Sequence, residues 1–258
     1  MIPYSAFRIP HSVFRIPYSA FRIPSTFLFF SMPCTIMQRP LSFLFLLLFC
    51  NGLFAQTQLP FEAEIQAFER LDSLEKPGKG QILLYGSSTM RLWTTFKTDL
   101  GGYKVVNRGF GGSQMSDAVY YFDRVVMPLE PSWILLYEGD NDLSNGQKSP
   151  EQVFADYQMF MKLVRQKLPN TKVAVYTLRP SLAREHLMPK QRQLNGLFKK
   201  YARKHRKRAA FIDAYTLLLT SEGKPNGDYL VQDKLHLNDK GYRVWTQATR
   251  NFLKKYGL

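Results

Sequence analysis

The sequence predicts an α/β domain whose parallel β-sheet is covered by helices on both faces. Three observations predict it. Apolar runs at residues 82–85, 132–137 and 172–178 lack a polar/apolar alternation, as strands buried on both faces do. Stretches with apolar residues three and four apart alternate with those runs, the order that builds parallel sheets from strand–helix units. Glycine, proline or Asn/Asp clusters mark nearly every change between the two patterns.

The elements follow in chain order. Residues 61–74 carry Phe61, Ile65, Phe68, Leu71 and Leu74 on one helical stripe, which Pro77 and Gly78 end. Residues 81–85 form the first strand, which stops at Gly86 before three hydroxyl residues, Ser87, Ser88 and Thr89. Residues 90–100 read as a short helix closed by Gly101-Gly102, and 103–107 as the second strand, entering Arg108-Gly109-Phe110-Gly111-Gly112-Ser113. A helix over 114–126 stops at Met127-Pro128, and 132–137 is the third strand, entering Glu138-Gly139-Asp140-Asn141-Asp142. Ser149 caps a long helix to about 168, with Pro150 in its first turn. Residues 172–178 are the fourth strand, 189–206 a helix, 209–212 a short fifth strand, and 238–255 the closing helix, capped by Asn238. Right-handed crossovers leave few topologies. The natural one is a five-stranded parallel sheet in the flavodoxin-like order 2-1-3-4-5, a three-layer α/β/α arrangement.

Residues 1–55 do not read as part of that domain. Residues 2–22 repeat a heptad, Ile-Pro-Tyr-Ser-Ala-Phe-Arg and close variants, whose prolines forbid a continuous helix. We read residues 1–36 as translated upstream DNA, expected to be disordered, with Met37 as the initiator. Residues 37–55 then resemble a secretory signal peptide: Arg39 at the head, an apolar block over 41–49, and Ala55 at the exit. The block is too short for a comfortable span of about 20 residues. The expected product is a secreted or periplasmic domain, residues 56–258, with no stable membrane insertion. Cys34 and Cys50 both fall in the removed part, so neither a disulfide framework nor thiolate chemistry is expected. Losing the four arginines of residues 1–55 takes the net charge from +15 to +11, which suits an anionic neighbour without specifying one.

In a parallel sheet every strand-to-helix junction lies on one rim, where open α/β sheets bind ligands. Ser88 sits on the first such turn, where its hydroxyl can face solvent beside backbone N–H groups; Ser87, Ser88 and Thr89 would equally serve as helix caps. The second junction offers Gly109, Gly111 and Gly112, but neither Gly-x-Gly-x-x-Gly nor Gly-Lys-Ser/Thr, so a phosphate cradle is not indicated. Asn141 between Asp140 and Asp142 suits a turn, and no compact set of His and acid ligands accompanies it as a metal would require. At the last junction, Asp233 precedes His236 by three residues, close enough on a turn to hold one ring nitrogen and stabilise the imidazolium. His205 belongs to the basic run 199–208, a solvated face. Arg179, Arg184 and His186, after the fourth strand, are candidates for substrate contact, with a salt bridge at the rim as the alternative.

Gly86-Ser87-Ser88, the segment from Asn107 to Gly112, Gly139-Asp140-Asn141-Asp142 and Asp233-x-x-His236 resemble, in order, the four blocks of the SGNH (GDSL-type) hydrolase superfamily. The similarity spans residues 62–256 and leans towards platelet-activating-factor acetylhydrolase-like and carbohydrate-esterase-like branches. Ser87 stands where the family's name-motif has aspartate. The resemblance implies Ser88 as nucleophile, His236 as general base and Asp233 as its orienting partner. It implies an oxyanion hole from the Ser88 N–H, the Gly112 N–H and the Asn141 amide, with Gly109 the alternative to Gly112. It implies ester hydrolysis through an acyl-enzyme, without metal or cofactor and not on nucleic acid. The substrate is expected to be a small ester or acylated carbohydrate, with lipid and lysophospholipid esters left open. The lack of a long lid or large apolar insertion between the blocks points to short-chain acyl or acetyl groups. Two rivals remain: a non-catalytic binder of anionic polysaccharide or another polyanion, suggested by the basic run, and a metal-dependent phosphodiesterase.

Overall fold

The computed structural model describes residues 60–145 and 147–258. The readings of residues 1–36 and 37–55 lie outside the described residues. Five strands are spaced along the chain: β1 (Ile82–Gly86), β2 (Val105–Gly109), β3 (Trp133–Tyr137), β4 (Lys172–Tyr176) and β5 (Ala209–Ile212). All neighbouring pairs are parallel and the order is β2-β1-β3-β4-β5, the topology the alternating pattern predicts. The apolar runs of β1 and β3 are buried along their whole length because layers of helix cover both faces.

The helices are α1 (Glu62–Glu75), α2 (Ser88–Arg91), α3 (Phe96–Asp99), α4 (Met115–Tyr120), α5 (Phe122–Val125), α6 (Asp140–Ser144), α7 (Pro150–Lys167), α8 (Met188–Lys204) and α9 (Asp239–Lys255). Trp245 of α9 stacks on Tyr176 of β4 at 4.4 Å and meets Tyr137 of β3 edge-on at 5.3 Å. Phe252 of α9 meets Trp133, which lies four residues before Tyr137 and so on the same face of β3. The opposite layer is built on α7, whose Phe160 faces Tyr85 of β1 and whose Tyr157 packs on Phe198 of α8 at 4.8 Å. Among the described residues no helix is long and apolar enough to cross a membrane.

Two expected helices are broken, for visible reasons. The helix expected over 90–100 is divided between the end of α2 (Ser88–Arg91) and α3 (Phe96–Asp99). Trp93 turns wholly into the core, and both its Nε1 and the Thr95 hydroxyl donate to Asp99 Oδ2 at 2.6 Å, so side chains compete with the helical ladder. The helix expected over 114–126 splits at Tyr121, whose backbone (φ −86°, ψ 8°) leaves the helical range while its hydroxyl donates to Pro60 O. In the other direction, the Asp140–Asp142 cluster expected as a turn is the first turn of α6.

Candidate active site

Gly86 ends β1 at φ +133°, and a Cβ built there would lie 2.0 Å from Tyr137 O. No other residue allows β1 and β3 to approach so closely at the rim. The chain reverses there: the Ser87 N–H donates to Tyr137 O at 3.1 Å and α2 begins at Ser88. Ser88 is thus lifted to the carboxyl end of the sheet, half-buried and open to the cleft.

His236 arrives from the far end of the chain. An antiparallel bridge between Leu230 and Leu237 closes a small hairpin, in which Lys234 takes a left-handed turn at φ +57°. Asn238, the cap of α9, fixes its base: its Oδ1 accepts from Gly241 N at 3.0 Å, while Nδ2 donates to Asp228 O and Leu230 O at 2.9 and 3.0 Å. The hairpin brings His236 Nε2 to 2.9 Å from Ser88 Oγ. On the other side of the ring, His236 Nδ1 lies 2.7 Å from Asp233 Oδ2. Asp233 Oδ1 accepts from the backbone N–H groups of Leu235 and His236 at 2.7 and 2.9 Å. Partial burial acts to raise the Asp233 pKa, but the His236 ring and these two N–H groups overcome it and bring it down to about 2. The carboxylate is ionised at neutral pH and favours Nδ1 as the protonated nitrogen, an arrangement in which Nε2 is able to accept a proton from Ser88.

The cleft beside Ser88 has a volume of about 340 Å³. Gly111 and Gly112 form one wall, Asn141 and Arg184 another, and His236 closes the third. Gly112 sits at φ +84°, with open space where a Cβ would be. Among the described residues, the N–H groups of Ser88 and Gly112 have no acceptor. The Gly109 N–H differs: it donates to Asn107 Oδ1 at 2.9 Å, so of the two glycines Gly112 holds the free donor. Asn141 Nδ2 donates to Ser113 O at 2.9 Å and its Oδ1 accepts from Arg184 Nη2 at 2.9 Å. These two bonds fix which end of the amide carries nitrogen and leave one amide hydrogen uncommitted.

The residues after β4 divide. Arg184 lines the cleft but pairs with Asp140 at 2.6 Å, the salt bridge weighed against substrate contact. Arg179 is fully buried; its Nε donates to Thr89 Oγ1 at 3.1 Å and its Nη1 to Leu235 O, tying the Ser88 turn to the His236 hairpin. His186 is exposed and does not line the cleft. Sequence reasoning passed over Gln191, whose Nε2 joins Asp140 Oδ1 at 2.9 Å to Arg179 O at 3.2 Å, and over Ser113 and Glu138 beneath the cleft. Nothing in their spacing along the chain marks them. Among the described residues, no group of three or more His, Cys, Asp and Glu side chains is placed to hold a metal ion.

The sequence profile of the GDSL-like Lipase/Acylhydrolase family matches residues 81–244, which include all four blocks. No curated protein matches the sequence significantly. A candidate acylhydrolase from Bacteroides fragilis is 20% identical, with 76% of this chain and 98% of that chain covered and a TM-score of 0.66. A GDSL-like lipase from Bacteroides thetaiotaomicron is 16% identical, with 74% and 98% covered and a TM-score of 0.62. A carbohydrate esterase family 3 structure from Talaromyces cellulolyticus is 15% identical, with 69% and 97% covered and a TM-score of 0.55. At such identities the structural likenesses establish the fold.

Proposed function

The chain belongs to the GDSL-like lipase/acylhydrolase family, hydrolases acting on esters, and on that premise we propose that it is a secreted serine esterase working through an acyl-enzyme. The observation that carries this reading is the unbroken line Asp233–His236–Ser88, with contacts of 2.7 and 2.9 Å. As Ser88 Oγ attacks the ester carbonyl, His236 Nε2 takes its proton and then passes it to the departing alcohol. A water, deprotonated by the same nitrogen, attacks the acyl-enzyme and releases the acid. Asp233 keeps the imidazole in its productive tautomer and offsets the charge it gains.

Negative charge gathers on the carbonyl oxygen at each addition. The Ser88 N–H, the Gly112 N–H and the free amide hydrogen of Asn141 are the donors that would receive it. Such a donor contributes about 10²–10³ in rate, comparable to the proton transfer itself at about 10²–10⁴. A cleft of about 340 Å³ suits a short acyl group, acetyl above all. The alcohol side is proposed to be a small alcohol or a sugar hydroxyl; Thr94, Thr95 and Asn238 line a neighbouring cavity that shares His236 with the cleft.

Turnover of p-nitrophenyl esters from acetyl to decanoyl tests the reading. Acetyl or propionyl should be preferred, and Ser88→Ala should abolish turnover of every ester. Equal turnover by wild type and Ser88→Ala would defeat it. A second reading, polyanion binding, is favoured by one observation. Arg165, Lys204, His205, Arg206, Lys207 and Arg208 line a pocket of about 290 Å³ at the turn from α8 to β5. That turn precedes a strand, so it lies at the opposite end of the sheet from Ser88, and the two readings do not compete for one surface.

A further inference from the structure

Glu138 follows β3 directly and takes no part in the reaction described above. Its side chain is 1% exposed, and among the described residues its Oε2 has no hydrogen-bond partner. Its Oε1 lies 2.6 Å from Ser113 Oγ. Ser113 Oγ is also 3.0 Å from Phe110 O. A hydroxyl has one hydrogen, which it can share between two oxygens only as a weaker three-centre bond. Both contacts are full hydrogen bonds at once only when Glu138 carries a proton: Glu138 donates to Ser113 Oγ, and Ser113 donates to Phe110 O.

We propose that Glu138 is kept as a neutral carboxylic acid and acts as a positioning residue for two oxyanion donors at once. The inference rests on the esterase reading for its consequence, though not for the protonation state. Ser113 is the joint between the donors. Its hydroxyl closes the turn 110–113 that presents the Gly112 N–H, and its carbonyl takes one hydrogen of Asn141 Nδ2 at 2.9 Å, aiming the other. Glu138 holds that joint from below.

The surroundings agree. Asp140 and Asp142 face Glu138 from α6, Asp117 from α4 and the Tyr85 phenol from β1. The cations nearby are engaged elsewhere: Lys148 with Asp142 and Asp156, Arg184 with Asp140. Burial pushes the Glu138 carboxyl well above the usual range and the three aspartates add to this; the Ser113 hydroxyl opposes it only when turned to donate to the carboxylate. An ionised carboxylate here would be buried, unpaired and beside like charges, which is costly, whereas the neutral acid leaves only one carbonyl oxygen unsatisfied.

The test compares Glu138→Gln and Glu138→Ala with wild type on p-nitrophenyl acetate across pH, alongside infrared difference spectra of wild type against Glu138→Gln. Glutamine keeps a donor for Ser113 and cannot ionise. We expect it to retain kcat within about threefold and to lose any alkaline limb that wild type shows. Alanine should lower kcat on the order of 10²-fold, about one oxyanion donor's worth, with KM little changed. The spectra should show a protonated carboxyl at neutral pH that Glu138→Gln lacks. If that band is missing, or if a folded Glu138→Gln falls as far as Glu138→Ala, the inference is overturned. A wild type inactive on every ester would instead remove the esterase reading, while the infrared band would still decide the state of Glu138.

Discussion

At the scale of single residues, Asp233 and Asn141 show how little of the site stands alone. Asp233 is the most exposed member of its group, with 47% of its side chain open against 24% for His236. Water can partly take its place, so Asp233→Ala should lower kcat towards the weaker end of the about 10²–10⁴-fold range of general-base catalysis. Its effect on stability has a definite sign. A carboxyl depressed from 3.8 to about 2 on folding stabilises the protein above its unfolded pKa, and this support fades as pH falls through about 2. Melting temperatures measured from pH 5 to pH 2 should therefore drop less steeply in Asp233→Asn than in wild type; solvent screening keeps the difference small. Asn141 depends on Arg184, which holds its Oδ1. Arg184→Ala frees the amide to turn, and kcat should fall about tenfold or more with the fold retained, as read by steady-state kinetics and circular dichroism. Ser88, Asp233, His236, Gly112 and Asn141 could be named as candidates from the sequence because each lies in a short block at a junction. Arg184 was legible as a residue, but its buried partner Asp140 lies 44 residues away, so its part in the site was not.

At the scale of elements, the closing helix matters more to the chemistry than its distance from Ser88 suggests. Asn238 caps α9 and also anchors the His236 hairpin through Asp228 O and Leu230 O. Ser149 caps α7 in the same way, with Oγ accepting from Gln152 N, but touches no part of the cleft. Either change to Ala should cost about 1 kcal/mol of stability, measured by denaturant unfolding. Only Asn238→Ala should also lower kcat, because only that cap anchors the hairpin that carries His236. The strands and long helices were readable because their apolar periods are strong. The breaks at Trp93–Thr95 and Tyr121 were not, since both arise where a side chain finds a partner that helical periodicity does not encode: Asp99 in one case and Pro60 in the other.

At the scale of the whole molecule, parallel topology separates two surfaces. The rim at the carboxyl ends of the strands collects Ser88, Gly112, Asn141 and His236, while the basic turn after α8 lies at the other end. Heparin retention, if present, should therefore survive in Ser88→Ala and weaken in a Lys204→Glu, Arg206→Glu, Lys207→Glu triple variant that keeps full esterase activity; salt elution of the two variants reads this out. The topology itself was legible because the strands alternate with helices along the chain, and the right-handed crossover rule leaves few ways to arrange such units. The most direct measurement of the central claim is intact-mass analysis after treatment with a fluorophosphonate, a probe that bonds to an activated serine. One adduct is expected on wild type, mapped to Ser88, and none on Ser88→Ala or His236→Ala. An unlabelled wild type that still hydrolyses p-nitrophenyl acetate, or a Ser88→Ala variant labelled as fully as wild type, would contradict that claim.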